Sequence, residues 1–246
     1  MTTGRAVAAG IFAWLVFLVA TIPADRALAL APPMPGVVIG SVQGTVWSGH
    51  TGRIVAKGVA VDDVRWRFRP LSLFLGKLEF GLQGRLDRKP AHTLAGLTFS
   101  GAPYLQDVHL DVGAAEVLYR LGVKQLSVTG RLSVDLEDVR FPPDGVPVFS
   151  GEITWKPAGV KAPLALSLGS ATLTTQHSDT TTEGKLVATG GALQVKADVA
   201  LETTGAYRLD ATIRQNGTVP QAVTKFLTTF ADNENGSYRL QWSDTL

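Results

Sequence analysis

The sequence predicts a mainly β protein, in which an N-terminal transmembrane helix precedes a large curled antiparallel β-sheet, groove-like or taco-like, with two or three short helices. Three observations predict this fold class. One uncharged apolar run lies near the N-terminus, polar and apolar residues alternate through most of the remaining chain, and glycines separate many of the alternating segments. We expect three parts: a membrane anchor at 1–22, a linker at 23–35 and a β-rich domain at 36–246.

The composition excludes several classes of protein. The chain has 246 residues, no Cys, 4 His and a formal net charge of +2. Without Cys it can form no disulfide, thiolate zinc site or Cys nucleophile. Lys and Arg are dispersed along the chain, so we expect no nucleic-acid partner. The length is sufficient to bury a substantial core.

The N-terminal anchor is the first predicted element. Arg5 precedes the uncharged run AVAAGIFAWLVFLVATI at 6–22, which is at the short end of what spans a bilayer. Arg5 favours a cytoplasmic N-terminus, which places the rest of the chain outside the cytoplasm. Ala27-Leu28-Ala29 leaves a cleaved signal peptide open as the alternative. The residues that we assign to the anchor are Ala6, Ile11, Trp14, Phe17 and Ile22.

The linker and the strands follow. Residues 23–35 carry four of the 13 prolines, which predicts a stiff linker.

In KLEFGLQGRLD, at 77–87, Lys77 and Glu79 point to one face with the other polar residues, and Leu78 and Phe80 point to the opposite face. Such alternation indicates half-buried antiparallel strands with one wet face. The same pattern recurs at 63–68, 148–156, 193–202, 207–214 and 237–242.

Three segments break the two-residue period. AAEVLYRL at 114–121 and PQAVTKFLTTFAD at 220–232 predict short helices, and PLSLFLG at 70–76 predicts a corner or a single turn.

The strands together form one large apolar face. A second sheet, closure of the sheet on itself, the short helices or lipid must cover that face, and the sequence does not choose among them.

Large aromatic residues are the first candidates for functional positions. Trp47, Trp66 and Trp155 could line a ligand groove, but we expect them to anchor the architecture, as large aromatics usually do. Pro70 and Gly76 bracket the predicted corner, and we treat these five residues together as candidate structural or interaction positions.

A basic strand face is the second candidate. Arg65, Arg67 and Arg69 alternate along one strand and could contact lipid head groups or an acidic partner. Nearby acidic residues dilute this charge, so an ordinary solvated face is the alternative.

Signals of catalysis are missing from the sequence. No G-x-S-x-G elbow or phosphate-binding loop is present, and the His residues lack metal-ligand spacing. Asp135 and Glu137 share a strand face, which fits a solvated face better than an acid/base pair. We assign no catalytic, cofactor-binding or metal-binding residue and expect that the protein is not an enzyme.

Four motifs, in their order and spacing, resemble the type II secretion system protein N family. They are GTVWSG at 44–49 after the anchor, VRWRFRPLSLFLGKL at 64–78, GEITW at 151–155, and Gly-punctuated strands at 190–236. The resemblance covers essentially the whole chain. Its end departs from the pattern, with Ser243 where a glycine is expected.

The resemblance implies a single-pass protein of the bacterial inner membrane, with a cytoplasmic N-terminus and a periplasmic β-rich domain. It implies a non-catalytic role in the export of folded proteins across the outer membrane, through contacts with other inner-membrane subunits of that system. The alternative is a periplasmic lipid-binding or lipid-transfer groove of the AsmA-like type, with lipid as the partner. Similarity of fold alone does not decide between these functions.

Overall fold

The computed structural model describes residues 2–30, 35–56, 58–120, 122–123, 125–143, 145–162, 165–234 and 236–245. Residues 31–34 of the expected linker and Leu121 of an expected helix lie outside these ranges. The described helices are α1 (Thr2–Ala20), α2 (Ala24–Leu30), α3 (Ala114–Arg120) and α4 (Gln221–Phe230), with a 3-10 turn at Pro70–Leu75. The strands are β1 (Val37–Ile39), β2 (Val42–Gly44), β3 (Ser48–Ala56), β4 (Val59–Phe68), β5 (Lys77–Leu86), β6 (Lys89–Thr98), β7 (Pro103–Gly113), β8 (Ser127–Arg140), β9 (Val148–Ala162), β10 (Leu166–His177), β11 (Thr181–Gly190), β12 (Leu193–Glu202), β13 (Ala206–Gln215), β14 (Asp232–Glu234) and β15 (Ser237–Thr245).

All the described strands belong to one antiparallel sheet. Its order is β1-β3-β4-β5-β6-β7-β8-β9-β10-β11-β12-β13-β15-β14, and β2 pairs with β3 beside β1. From β3 to β13, strands that follow each other in the chain also pair in the sheet, so the fold is a long meander. The sheet has two edges and is not closed. The prediction of a mainly β, antiparallel chain with few helices is therefore confirmed.

The N-terminal residues form helices on both sides of Pro23. α1 carries exposed apolar side chains, whereas Ala24 at the start of α2 is buried. No helix within the described ranges combines the length and the apolar character needed to cross a bilayer. Residues 24–30 lie in the expected linker yet are helical, since no proline interrupts this Ala- and Leu-rich stretch.

The antiparallel meander places its connections at two ends of the sheet. The proximal end, as we name it, carries the turn at 45–47, the corner at 69–76 and the hairpin tip at 99–102. The distal end carries α3 and α4. The loop before β9 closes part of the proximal end, because the Val146 N–H donates to the Thr203 carbonyl at 2.9 Å.

The apolar face is only partly covered. A small core forms where Ala158, Ala171 and Ala188 are buried against Trp155 and neighbouring aliphatic residues. A row of paired residues on this face crosses β7 to β15, and its large side chains are half-buried. The row comprises Leu110, Val134, Ile153, Leu173, Leu186, Ala197, Ala211 and Leu240.

The helix α4 covers less of the sheet than its apolar stripe predicts. Leu227 is 2% exposed, but Phe226 and Phe230 are 51% and 58% exposed and contact each other at 4.9 Å between ring centroids. Pro220 precedes the helix as its N-cap. Much of the apolar stripe of α4 therefore faces away from the sheet.

Candidate interaction surfaces

Trp47 joins the N-terminal helix to the sheet. Its indole N–H donates to the Val19 carbonyl at 2.7 Å, and the Val46 N–H donates to the Ile22 carbonyl at 3.0 Å. The Trp47 ring also packs against Phe68 at 5.0 Å between centroids. The turn at 45–47 thus contacts the end of α1, with Trp47 between the helix and the sheet.

Glycines allow this turn to be compact. Gly44 has φ +100°, a region that side chains disfavour. At Gly49 a Cβ would overlap the Trp66 ring and the Gln43 carbonyl oxygen. Trp66 in turn donates its indole N–H towards the carbonyls of Thr45 and Val46, at 3.2 and 3.1 Å. The GTVWSG motif therefore encodes a turn held by two tryptophans.

Trp155 also donates its indole N–H to a backbone carbonyl beside a glycine, elsewhere in the sheet. Its indole N–H donates to the Thr129 carbonyl at 2.7 Å, next to Gly130 with φ +92°. A Cβ at Gly130 would overlap the Pro157 carbonyl, so only glycine fits. Trp155 packs on the small alanine core. Of the expected tryptophans, all three are engaged in structural contacts.

The corner at Pro70–Leu75 is held by a hydrogen bond within the turn. The Ser72 hydroxyl donates to the Arg69 carbonyl at 2.6 Å, and Gly76, with φ +73°, ends the turn. Ser72 is buried, whereas Leu71, Phe74 and Leu75 are 76%, 87% and 76% exposed. Pro70 and Gly76 therefore shape the corner, and the apolar residues between them face outward.

Arg69 has an exposed side chain, but its guanidinium contacts a buried carboxylate. Its guanidinium lies 3.2 Å from a carboxylate oxygen of Glu79, and the Tyr104 hydroxyl donates to the other oxygen at 2.9 Å. Glu79 is 6% exposed, so the expectation that it lies on the wet face is wrong. The acid is retained there because a cation and a hydroxyl satisfy it.

Burial raises the pKa of Tyr104 to about 12, and the hydrogen bond to Glu79 adds to the rise. Tyr104 also packs beneath Lys77, whose ammonium lies 5.0 Å from the ring centroid. Sequence reasoning missed this cluster. The one signal was Gly96, which pairs with both Glu79 and Tyr104 and makes room for the phenol.

Arg65 and Arg67 are exposed and line a basic depression at the proximal end. His50, Gln43 and Gln83 lie around the same depression. Of the three arginines in the predicted basic face, Arg69 is the one that pairs with Glu79. Arg65 and Arg67 make no ion pair with Glu79.

A polar row runs along the face opposite the apolar row. Paired residues on twelve successive strands of the sheet carry polar side chains, and each is exposed or half-buried. The row comprises His50, Arg65, Gln83, His92, His109, Asp135, Glu152, Thr174, Lys185, Asp198, Asp210 and Gln241. The pairing register creates this row, and it cannot be read from any single strand.

Two histidines in the polar region have local partners. His109 pairs with Asp135 and stacks on His92 at 5.1 Å between centroids. The His177 ring lies 2.7 Å from Ser150 Oγ and 3.4 Å from the Asp138 carboxylate, and Ser150 Oγ also accepts the His177 backbone N–H. The contacts of His177 connect β8, β9 and β10. In the part of the chain that the structure describes, no group of three or more His, Asp or Glu could hold a metal ion.

One sheet edge is open for strand addition. β14 pairs only with Ser237–Arg239 of β15, so within the described chain residues 240–245 pair on one side, with β13. Trp242 on this edge is 51% exposed. Opposite, β1 and β2 are short and interrupted at 40–41. The sequence pattern predicts β15 as a strand but contains no signal that it lies at an edge.

Comparisons with known proteins agree on one family. The family model described as "Type II secretion system (T2SS), protein N" matches residues 35–241. Proteins named Type II secretion system protein N are similar to this chain. The one from Vibrio cholerae serotype O1 is 26% identical, covering 85% of each chain. The one from Pectobacterium carotovorum is 25% identical, covering 96% of this chain and 94% of the relative. No solved structure matches significantly.

Proposed function

The chain belongs to the type II secretion system protein N family, and from this premise we propose that it is a non-catalytic inner-membrane component of that system. In this role it takes part in the export of folded proteins across the outer membrane. It acts through periplasmic contacts with other inner-membrane subunits. The observation that carries the proposal is the family match over nearly the whole β-rich domain.

The N-terminal segment supports the proposed membrane placement. α1 exposes apolar side chains around its circumference, among them Ile11, Trp14 and Phe17. We place residues 6–22 in the inner membrane, with the N-terminus cytoplasmic and residues 36–246 in the periplasm. Trp47 then holds the periplasmic sheet against the end of the anchor.

The open edge at residues 240–245 supplies the contact to a partner subunit. An exposed strand edge offers unpaired backbone groups to which another chain can add a strand. Trp242 adds a large exposed apolar side chain, a residue type enriched at protein interfaces. Both features favour a β-domain that binds another protein over one that acts alone.

Photo-crosslinking in intact cells tests this contact. A photoreactive amino acid replaces Trp242, and the matched control replaces Val187, which is 41% exposed on the inner strand β11. We expect a crosslink from position 242 to another secretion-system subunit and none from position 187. Equal crosslinking from both positions, or none from 242, would contradict the edge contact.

A second function is favoured by one observation, the half-buried apolar row that crosses the sheet. A row of large aliphatic side chains left partly open to solvent could hold acyl chains, as in a lipid-binding groove. Native mass spectrometry of the purified full chain tests this alternative. Stoichiometric phospholipid that is lost on Ile153→Asp substitution would support it, whereas a lipid-free protein would remove it.

A further inference from the structure

The corner and the neighbouring hairpin tip form one apolar surface, which we call the apolar foot. Phe99 is 73% exposed, and its backbone N–H donates to the Gly76 carbonyl at 2.9 Å, which fixes the hairpin beside the corner. Neither 70–76 nor 99–102 contains a charged residue. The apolar foot consists of Leu71, Leu73, Phe74, Leu75 and Phe99.

The apolar foot is a built feature of the protein. Ser72 is buried and bonded to Arg69, and Gly76 closes the turn in the left-handed conformation, so the chain is held with its leucines and phenylalanine outward. Exposed residues of this kind in a contiguous, charge-free patch mark an interaction site.

The apolar foot lies at the same end of the sheet as the exit of α1. Val19 at the end of α1 accepts the Trp47 indole N–H, and Trp47 packs on Phe68. Phe68 is the last residue of β4 and is followed by Arg69 and the corner. Any bilayer that surrounds α1 therefore lies close to the apolar foot.

We propose that the apolar foot inserts into the interface of the bilayer that holds α1, so that the sheet stands with its proximal end on the membrane. This inference rests on the proposed membrane placement of α1. Apolar side chains at such a position bury into the acyl boundary, and basic residues beside them favour anionic head groups. Arg65 and Arg67, exposed on β4, the strand that leads into the corner, supply that positive charge. α3 and α4, at the distal end, then face away from the membrane.

Depth measurements on the full chain in vesicles test this orientation. Because the natural chain has no Cys, single variants can each carry one environment-sensitive fluorophore. The variants Phe74→Cys and Phe99→Cys report the apolar foot, and Phe12→Cys reports α1. Phe226→Cys, in exposed α4 at the distal end, is the matched control. The vesicles contain phosphatidylethanolamine and phosphatidylglycerol, with and without nitroxide-labelled acyl chains as quenchers.

We expect a blue shift and quenching for the probes at 12, 74 and 99, and neither effect at 226. Quenching at 12 alone would overturn the inference while leaving the anchor in place, and a protein would then be the partner of the apolar foot. No quenching at 12 would remove the anchor and the inference together. Quenching at all four positions would mean that the chain lies flat on the membrane, which contradicts the standing orientation.

Discussion

At the scale of single residues, glycine and tryptophan act in pairs. Gly49 gives space to the Trp66 ring, and Gly130 gives space beside the Trp155 indole. In both cases the indole N–H bonds a carbonyl across the sheet. Sequence reasoning could assign these tryptophans to the architecture, because large aromatics are usually buried. It could not name their partners, because these depend on the pairing register.

Two glycines in the same strand provide a matched test of this pairing. A Cβ at Gly49 would overlap the Trp66 ring and the Gln43 carbonyl, whereas a Cβ at Gly52 would meet nothing within 4 Å. We expect Gly49→Ala to lower the free energy of unfolding by about 3 kcal/mol and Gly52→Ala to change it by about 0.5 kcal/mol or less. Denaturant unfolding of the full chain in detergent gives both values. Similar values for the two variants would contradict the packing at Gly49.

Tyr104, buried against Glu79, predicts a loss of stability at high pH. The Tyr104 pKa is raised to about 12, from about 10 in an unfolded chain. A raised pKa means that folding favours the protonated phenol, so its contribution is complete below pH 10 and is lost as pH rises from about 10 to about 12. Ultraviolet titration should show a phenolate phase near pH 12 that Tyr104→Phe removes. The same phase in the Tyr104→Phe variant would refute the assignment.

Glu79 marks the limit of prediction from alternation. The two-residue period places it on the polar face, and the pairing of Lys77–Leu86 agrees with the predicted strand. Alternation assigns a face but does not say whether that face is wet at a given point. Tyr104 reaches the carboxylate from β7, 25 residues along the chain, and Arg69 reaches it from the start of the corner.

At the level of elements, the strands were easier to predict than the way in which the helices pack on them. The period identified β4, β5, β9, β12, β13 and β15, and the corner at 70–76 and the helices at 114–121 and 220–232 are present with small changes in their bounds. The short helices were one of several candidates to cover the apolar face of the sheet. One residue of the apolar stripe of α4, Leu227, is buried, because a ten-residue helix that joins β13 to β14 lies at the sheet's end.

A pair of substitutions in α4 measures how it is attached. Leu227 is 2% exposed, whereas Phe226 beside it is 51% exposed. We expect Leu227→Ala to cost about 3 kcal/mol of unfolding free energy and Phe226→Ala to cost about 0.5 kcal/mol or less. Thermal or denaturant unfolding resolves this difference. An equal or larger cost for Phe226→Ala would show that α4 packs through its other side.

At the scale of the whole molecule, the motifs identified the family before the register was known. The resemblance seen in GTVWSG and its neighbours is confirmed by the family match over residues 35–241. The sequence left open what covers the apolar face, and the structure leaves its large side chains half-buried. Placement of α1 in the membrane stays a prediction, as do the partner subunits. The open edge of β15 and the location of the apolar foot beside α1 arise from topology, which no local pattern encodes.

We propose that this chain works in the secretion machinery through contacts with other subunits. The most direct test is a crosslinked pull-down of the full chain from intact membranes, with proteins and lipids in the eluate both identified by mass spectrometry. We predict the recovery of other type II secretion subunits without enriched phospholipid. Recovery of stoichiometric phospholipid and no secretion subunit would contradict the claim and leave the lipid-binding groove as the function.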